Sequence, residues 1–247
     1  MTSVRGAVQF TNVGKTFPDG TVALDDVTLT VEPGEFVTVV GPSGCGKSTL
    51  LRIASGLESS SGGECSIDRG SIGYVFQDAT LLPWRTVGRN VELLAELHGE
   101  SRETCAARAA EAIELVGLTG FADKYPRQLS GGMRMRASLA RSLVMKPNVF
   151  LFDEPFGALD EMTRERLNDE VLAIFNREGF AGLFITHSIA EAVYMSTKVL
   201  VMSPRPGRIV ASFDVPFSYP RSHDLRYQAD FAELCGRVSA ALRVGTS

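Results

Sequence analysis

The stretch GPSGCGKST, residues 41–49, lies between an apolar run, EFVTVV (35–40), and a helix-like segment, KSTLLRIASGL (47–57). A strand that breaks into a glycine-rich turn and restarts as a helix is the setting in which backbone N–H groups wrap a phosphate chain. Gly41, Gly44 and Gly46 let successive amides converge, and the helix N-terminus adds favourable partial charge. Lys47 is placed to neutralise the β- and γ-phosphates, Ser48 to ligate Mg²⁺, and Thr49 to donate a further hydrogen bond. The expected nucleotide loop is thus Gly41, Pro42, Ser43, Gly44, Cys45, Gly46, Lys47, Ser48 and Thr49.

Outward from this loop the pattern alternates. AVQFTNV (7–13), VTLTVEPG (27–34) and EFVTVVG read as strands, with turns at PDG and EPG. ECSIDRGSIGYVFQ (64–77) reads as two short strands. Residues 86–146 turn helical: TVGRNVELLAELHG with Val87, Val91 and Leu94 on one face, SRETCAARAAEAIELVG with a Ser101 cap and a stop at Gly117, and a third helix from LSGG to just before Pro147. Strands then resume: NVFLFD, a helix over 161–178, GLFITH, a helix from Ser188 with Glu191 in capping-box position, and KVLVMS turning through PRPG into RIVASFDV. DFAELCGRVSAALR (230–243) predicts one terminal helix. Buried strands alternating with helices mean an α/β fold on a mostly parallel sheet. The helical stretch, 87–146, is inserted in the middle of this pattern, and residues 218–247 read as a short extension.

Composition is that of a globular chain: 247 residues, 44% hydrophobic and 22% charged, enough to bury a core. The net charge of −4 argues against nucleic acid as the main partner. Cys45, Cys65, Cys105 and Cys235 show no metal-binding spacing and read as reduced thiols. The start, MTSVRGAVQF, lacks a basic, apolar signal pattern, and no apolar run reaches the roughly 18–20 residues of a membrane span. Any membrane role is expected through a partner.

Further chemistry sits at strand ends. NVFLFDEP (148–155) closes a buried strand with two acids, which need a metal or a cation beside them. Asp153 fits a direct or water-mediated Mg²⁺ role, and Glu154 that of the general base for the attacking water. Gln77, after GYVF, can bind the metal or position water. His187, after LFIT, can reach the γ-phosphate and hold the attacking water. LSGGM (129–133) is a second anion device, with Ser130, Gly131 and Gly132 at a helix start; the plainer reading is an N-cap.

Taken in order, GPSGCGKST, FQ (76–77), LSGGM, VFLFDEP, GALD (157–160) and THS (186–188) resemble the nucleotide-binding subunit of ABC transporters, over essentially residues 7–205. The resemblance implies a RecA-like P-loop core with a small antiparallel β subdomain over residues 1–86 and 147–217, and an inserted helical subdomain over 87–146. It also implies ATP and Mg²⁺ as ligands, and a head-to-tail pair of cassettes. The Ser130–Gly132 segment of one copy would then serve the ATP of the other. Phe17, in KTFPDG, matches the family aromatic on adenine, and Asp160 the acid that communicates across the dimer. LSGGMRMR with FQDATLLPW looks like the nitrate, sulfonate and taurine branch of importers; Met133 stands where that signature usually has Gln.

An importer subunit of this kind works with a permease and, indirectly, a solute-binding protein, as a peripheral protein on the cytoplasmic face of the membrane. The cargo is expected to be a small anionic or organic solute. A soluble ABC ATPase without transport and a non-hydrolysing regulatory cassette are the alternatives. No long coiled coil or basic addition favours the first, and Glu154 with His187 argues against the second. The tail is too short for an appended small-molecule regulatory barrel. In DATLLPWRTV (78–87), Leu81, Leu82 and Trp84 either fold back on the core or meet the permease.

Overall fold

The computed structural model describes residues 7–67 and 72–245. Most of the start read for a targeting signal (residues 1–6), the turn between two expected strands (68–71) and residues 246–247 lie outside the described residues.

Strand β1 (Val8–Thr16) lies between β2 (Val22–Val31) and β4 (Gly62–Ile67) in a three-stranded antiparallel sheet. A larger sheet runs in the spatial order β5 (Ile72–Val75), β6 (Val149–Asp153), β7 (Ala181–Thr186), β3 (Phe36–Val40), β8 (Lys198–Met202), β9 (Ile209–Asp214). Its strands are parallel except β9, which returns antiparallel to β8. Helix α1 (Lys47–Ser55) follows β3. Three helices, α2 (Val87–Leu97), α3 (Arg102–Leu115) and α4 (Gly131–Leu143), are inserted between β5 and β6. Helix α5 (Glu161–Glu178) joins β6 to β7, α6 (Ile189–Met195) joins β7 to β8, and α7 (Ala229–Val244) closes the chain. Among the described residues no helix is long and apolar enough to cross a membrane.

The central strands β3 and β7 are buried along their whole length, so they read as nearly continuous apolar runs, interrupted only by Thr38 and Thr186. Side chains alternate across the sheet and divide into two cores. Phe36, Val40, Phe150, Phe152 and Phe184 face the helical insertion, α5, α6 and α7. Val37, Val39, Leu151, Leu183 and Ile185 face α1 and the antiparallel sheet.

One row across the parallel sheet alternates glycine with phenylalanine: Gly73 pairs with Phe150, Phe150 with Gly182, and Gly182 with Phe36. The rings lie over the glycines. A Cβ on Gly182 would come within 2.7 Å of the Phe36 ring, and one on Gly73 within 2.6 Å of the Phe150 ring. Phe36 stacks on Phe152 at 5.8 Å and meets Phe175 of α5 edge-on at 5.3 Å. This packing favours offset and T-shaped ring pairs and joins strand register to helix position.

The C-terminal extension is fastened by a half-buried guanidinium. Arg221 donates to the carbonyls of Val193, Ser196 and Phe217, at 3.1, 2.7 and 2.7 Å. Arg226 lies over the Tyr194 ring, 3.3 Å from its centroid.

The Gly–Phe row predicts that Gly182→Ala loses about 1–3 kcal/mol by overpacking. Adding Phe36→Leu should return part of that loss, because the smaller side chain leaves room for the new methyl. A denaturant-midpoint double-mutant cycle measures the coupling; strict additivity of the two losses would contradict it.

Candidate functional site

The carboxyl ends of the parallel strands form one edge, where ligand crevices lie in sheets of this type. Register decides what stands there. Val40, the last residue of β3, pairs with Thr186 of β7, and Asp153 of β6 pairs with Ile185 of β7. Val75 of β5 pairs with Phe152. The residues beyond these ends are the Gly41–Thr49 loop, His187, Glu154 and Gln77.

Gly44 and Gly46 adopt positive φ, at 76° and 112°. At Gly46 a side chain would also strike β2, with the Ala23 carbonyl 2.7 Å from a Cβ. Gly41 is required for another reason: a Cβ there would meet the Cys45 sulfur at 2.9 Å and the Met202 carbonyl at 3.0 Å. The loop is therefore bare on the side of its own amides and tightly packed behind. Burial pushes the Cys45 thiol up, so it is held as a neutral wall of the loop.

Lys47 is buried, and its Nζ donates to the carbonyls of Gly41 (2.9 Å) and Pro42 (3.1 Å). It also lies 3.6 Å from Glu154 Oε1. Glu154 Oε2 is 3.1 Å from His187 Nδ1, so this carboxylate sits between the lysine and the histidine. Glu154 has φ 45°, a left-handed conformation that costs a non-glycine residue energy. Its N–H donates to the Ile185 carbonyl at 3.0 Å, which holds the turn. Ser48 Oγ donates to Asp153 Oδ1 at 2.8 Å, and Tyr74 OH to Asp153 Oδ2 at 3.3 Å. A hydroxyl and a carboxylate in contact are hard oxygen donors, a set that suits Mg²⁺ completed by phosphates and water. The bare loop and these oxygens thus fit a magnesium-bound nucleotide.

Gln77 is exposed just past β5. The loop after it is tied to α4 by buried Arg141, which donates to the Ala79 carbonyl (3.2 Å), the Thr80 carbonyl (2.9 Å) and Thr80 Oγ1 (3.0 Å). Phe17 is half-buried in a tight turn at the head of β2, with the Lys15 ammonium 5.1 Å from its ring centroid.

Ser130 caps α4, its Oγ accepting from Met133 N–H at 3.3 Å. A Cβ on Gly132 would meet Thr163 of α5 at 2.9 Å, so this glycine also serves close packing of two helix starts. Asp160 caps α5: Oδ1 accepts from Thr163 N–H at 3.0 Å. Hydrogen bonds from Thr163 hold its carboxyl below the ordinary range. Arg164 donates to the Phe156 and Leu159 carbonyls and shapes the segment between Glu154 and Asp160. The fold therefore groups Lys47, Ser48, Asp153, Glu154 and His187, and builds Ser130–Gly132 with Asp160 as a second cluster at the heads of α4 and α5.

The expected capping box at α6 is half formed. Ser188 Oγ accepts Glu191 N–H at 3.3 Å, but the Glu191 carboxylate does not return to Ser188. It accepts from the Thr186 hydroxyl, and Thr186 Oγ1 in turn takes Ser188 N–H at 3.0 Å. Buried space beside β7 wins over the exposed reciprocal bond, and the network braces the residues either side of His187. Arg141, Tyr74 and this role of Glu191 carry no motif; a polar residue within an apolar helix or strand face is the only trace each leaves.

A family profile described as ABC transporter matches residues 24–157. The taurine import ATP-binding protein TauB of Rhizobium johnstonii is 44% identical over 232 residues, 89% of this chain and 88% of that protein. An aliphatic sulfonates import ATP-binding protein, SsuB of Bacillus cereus, is 42% identical over 211 residues, 82% and 83% of the two chains. Among solved structures, a dimeric ATP-binding cassette in a post-hydrolysis state, bound to ADP and Pi, is similar with a TM-score of 0.75 and 32% identity. The match covers 85% of this chain and 100% of that one.

Burial raises the Glu191 carboxyl above its ordinary 4.5, against the opposing pull of the Thr186 hydroxyl, Arg164, Asn168 and His187. The folded state thus binds this proton more tightly than the unfolded chain. The stability it contributes is full below the ordinary value and is lost as pH rises through the folded one. Glu191→Gln removes the titration, so its stability relative to the parent should improve as pH rises above the ordinary carboxyl range. Urea midpoints over that rise in pH measure it; a pH-independent difference would contradict the account.

Proposed function

The chain belongs to the ABC transporter family, as an ATP-binding cassette with ATPase activity, and we propose that it powers an importer for a small anionic organic solute of the sulfonate or taurine kind. The observation that carries the catalytic half of this reading is the Lys47–Glu154–His187 contact beside the glycine loop. The cargo half is supported by the similarity to taurine and sulfonate import subunits along most of the chain.

In this reading the loop amides and Lys47 bind the phosphates, and Phe17 takes the adenine. Glu154 accepts a proton from the attacking water, while His187 orients Glu154 and donates toward the γ-phosphate. Ser48 and Asp153, with Gln77, would hold Mg²⁺, which when bound neutralises phosphate charge. Lys47 held by two carbonyls is pre-organised, so its charge costs little reorganisation during turnover.

Two copies pair head to tail, so that Ser130, Gly131 and Gly132 of one meet the nucleotide of the other and Asp160 lies at the shared boundary. The pair sits on a permease at the cytoplasmic face of the membrane, and a solute-binding protein delivers cargo from the other side. The loop after Gln77 is the proposed coupling element. Arg141 ties it to the helix that begins with the second anion device, so displacement of either moves both. Buried Asn90 shapes the turn leading into α2, donating to the Leu82, Arg85 and Thr86 carbonyls at 3.1, 3.1 and 2.9 Å. Leu81 packs on the core, whereas Trp84 is 71% exposed and supplies the anchor for a permease helix.

Lys47→Ala should lower ATPase activity at least about 100-fold. Glu154→Gln keeps shape and hydrogen bonding but not basicity. It should bind ATP, turn over slowly and elute as a dimer in Mg²⁺-ATP; a monomer with nucleotide demonstrably bound counts against the sandwich. Deleting the gene should abolish growth on taurine or alkanesulfonates as sole sulfur source.

Replacing Leu82 and Trp84 with Ala should leave nucleotide binding by the isolated subunit intact while permease co-purification and transport fall. Unfolding of the isolated subunit would instead make these residues core.

A further inference from the structure

The turn between β8 and β9, Ser203 to Arg208, lies against the back of the Gly41–Thr49 loop. Arg205 donates from Nε and Nη2 to the Gly44 carbonyl, at 3.1 and 2.9 Å. Gly207 is buried against the next carbonyl: a Cβ there would stand 2.2 Å from the Cys45 oxygen. The turn is itself held firmly. Ser203 Oγ accepts Arg208 N–H at 3.0 Å. Gly207 N–H donates to the Ala23 carbonyl at 3.0 Å, and the Gly207 carbonyl accepts Asp25 N–H at 3.1 Å. The Arg208 guanidinium pairs with the Asp25 carboxylate.

A trans peptide is planar, and its C=O and N–H point in opposite directions. Holding the Gly44 carbonyl outward on Arg205 therefore aims the Cys45 N–H into the loop. Seating the Cys45 carbonyl against Gly207 does the same for the Gly46 N–H. The Cys45 N–H donates across the turn to the Pro42 carbonyl at 3.4 Å, a long bond that leaves it on the concave side of the loop. The glycines at 44 and 46 widen the conformations open to these peptides, so the Arg205 and Gly207 contacts add a constraint from outside to that long internal bond.

We infer that the Ser203–Arg208 turn is a buttress that orients two successive amides of the nucleotide loop, with Arg205 and Gly207 as its positioning residues. The inference rests on the reading of Gly41–Thr49 as the ATP site. It places the effect on nucleotide affinity, for ATP and ADP alike, because the amides concerned belong to the loop itself and not to the Glu154–His187 contact. Arg205 acts through the fork of its guanidinium, which meets one carbonyl with two donors.

Calorimetric titration of the full-length chain with ADP and with ATP, each with Mg²⁺, tests this. Arg205→Ala should weaken both nucleotides about tenfold, the scale of a lost charge-assisted hydrogen bond. In the assembled transporter the loss should appear in KM and not in kcat. Amide ¹⁵N–¹H resonances of Cys45 and Gly46 should shift in the nucleotide-free variant while its melting temperature holds. Arg205→Lys, with a single donor head, should recover part of the affinity. Gly207→Ala should weaken binding further if it folds; exposed Arg205 keeps the test open if it does not. Unchanged affinity for both nucleotides in Arg205→Ala, or a loss confined to kcat, would overturn the inference. Lys47→Ala separates the two readings. If it abolishes binding while Arg205→Ala is silent, the buttress fails and the ATP site stands. If Lys47→Ala binds normally, the ATP site itself fails.

Discussion

Parallel hydrogen bonding among β5, β6, β7 and β3 sets where each strand ends, and every functional group at the sheet edge inherits its place from that register. A slip of one residue would turn each side chain to the opposite face. The Gly–Phe row forbids the slip, because Phe36 and Phe150 need glycines beside them. The same pairing that seats those rings brings Asp153 level with Ile185 and Val40 level with Thr186. Core packing and site geometry are one constraint seen at two ends of the same strands.

Charge at the edge is arranged around Glu154. An acid beside a buried strand end is costly unless paired, and here it meets Lys47 on one oxygen and His187 on the other. The left-handed backbone at Glu154 is the local cost of turning the acid back toward the loop. Behind His187, the Thr186–Glu191 bond buries a second carboxyl. It is a support, and it ties the end of β7 to α6.

The glycine loop and the proposed second anion site are built differently. The glycine loop is hemmed in from behind by β2 and the β8–β9 turn. The head of α4 packs against α5, with Ser130 exposed at the cap. A site that faces outward suits a ligand held by another molecule, which is the logic of a cassette pair. Arg141 then joins the outward device to the loop after Gln77, so the inserted helices are not independent of the nucleotide edge.

Much of this was legible from residue order alone. An apolar strand ending in GPSGCGKST can do few things, and its match with NVFLFDEP and LSGGM identified the fold class and the ATPase. These signals are local: a glycine spacing, a strand followed by two acids, a serine before a helix. The helix read over 161–178 coincides with the observed α5. What the sequence could not decide were contacts between segments far apart along the chain. The Glu191 carboxylate chose Thr186 over its own helix cap because tertiary packing put a buried hydroxyl in reach. Arg205 read as part of a turn, and only the folding of β8 beside β3 carried it to Gly44, 161 positions away. Local patterns record the conformations a segment prefers; which distant partner satisfies its polar groups is settled only when the sheet closes and water is excluded.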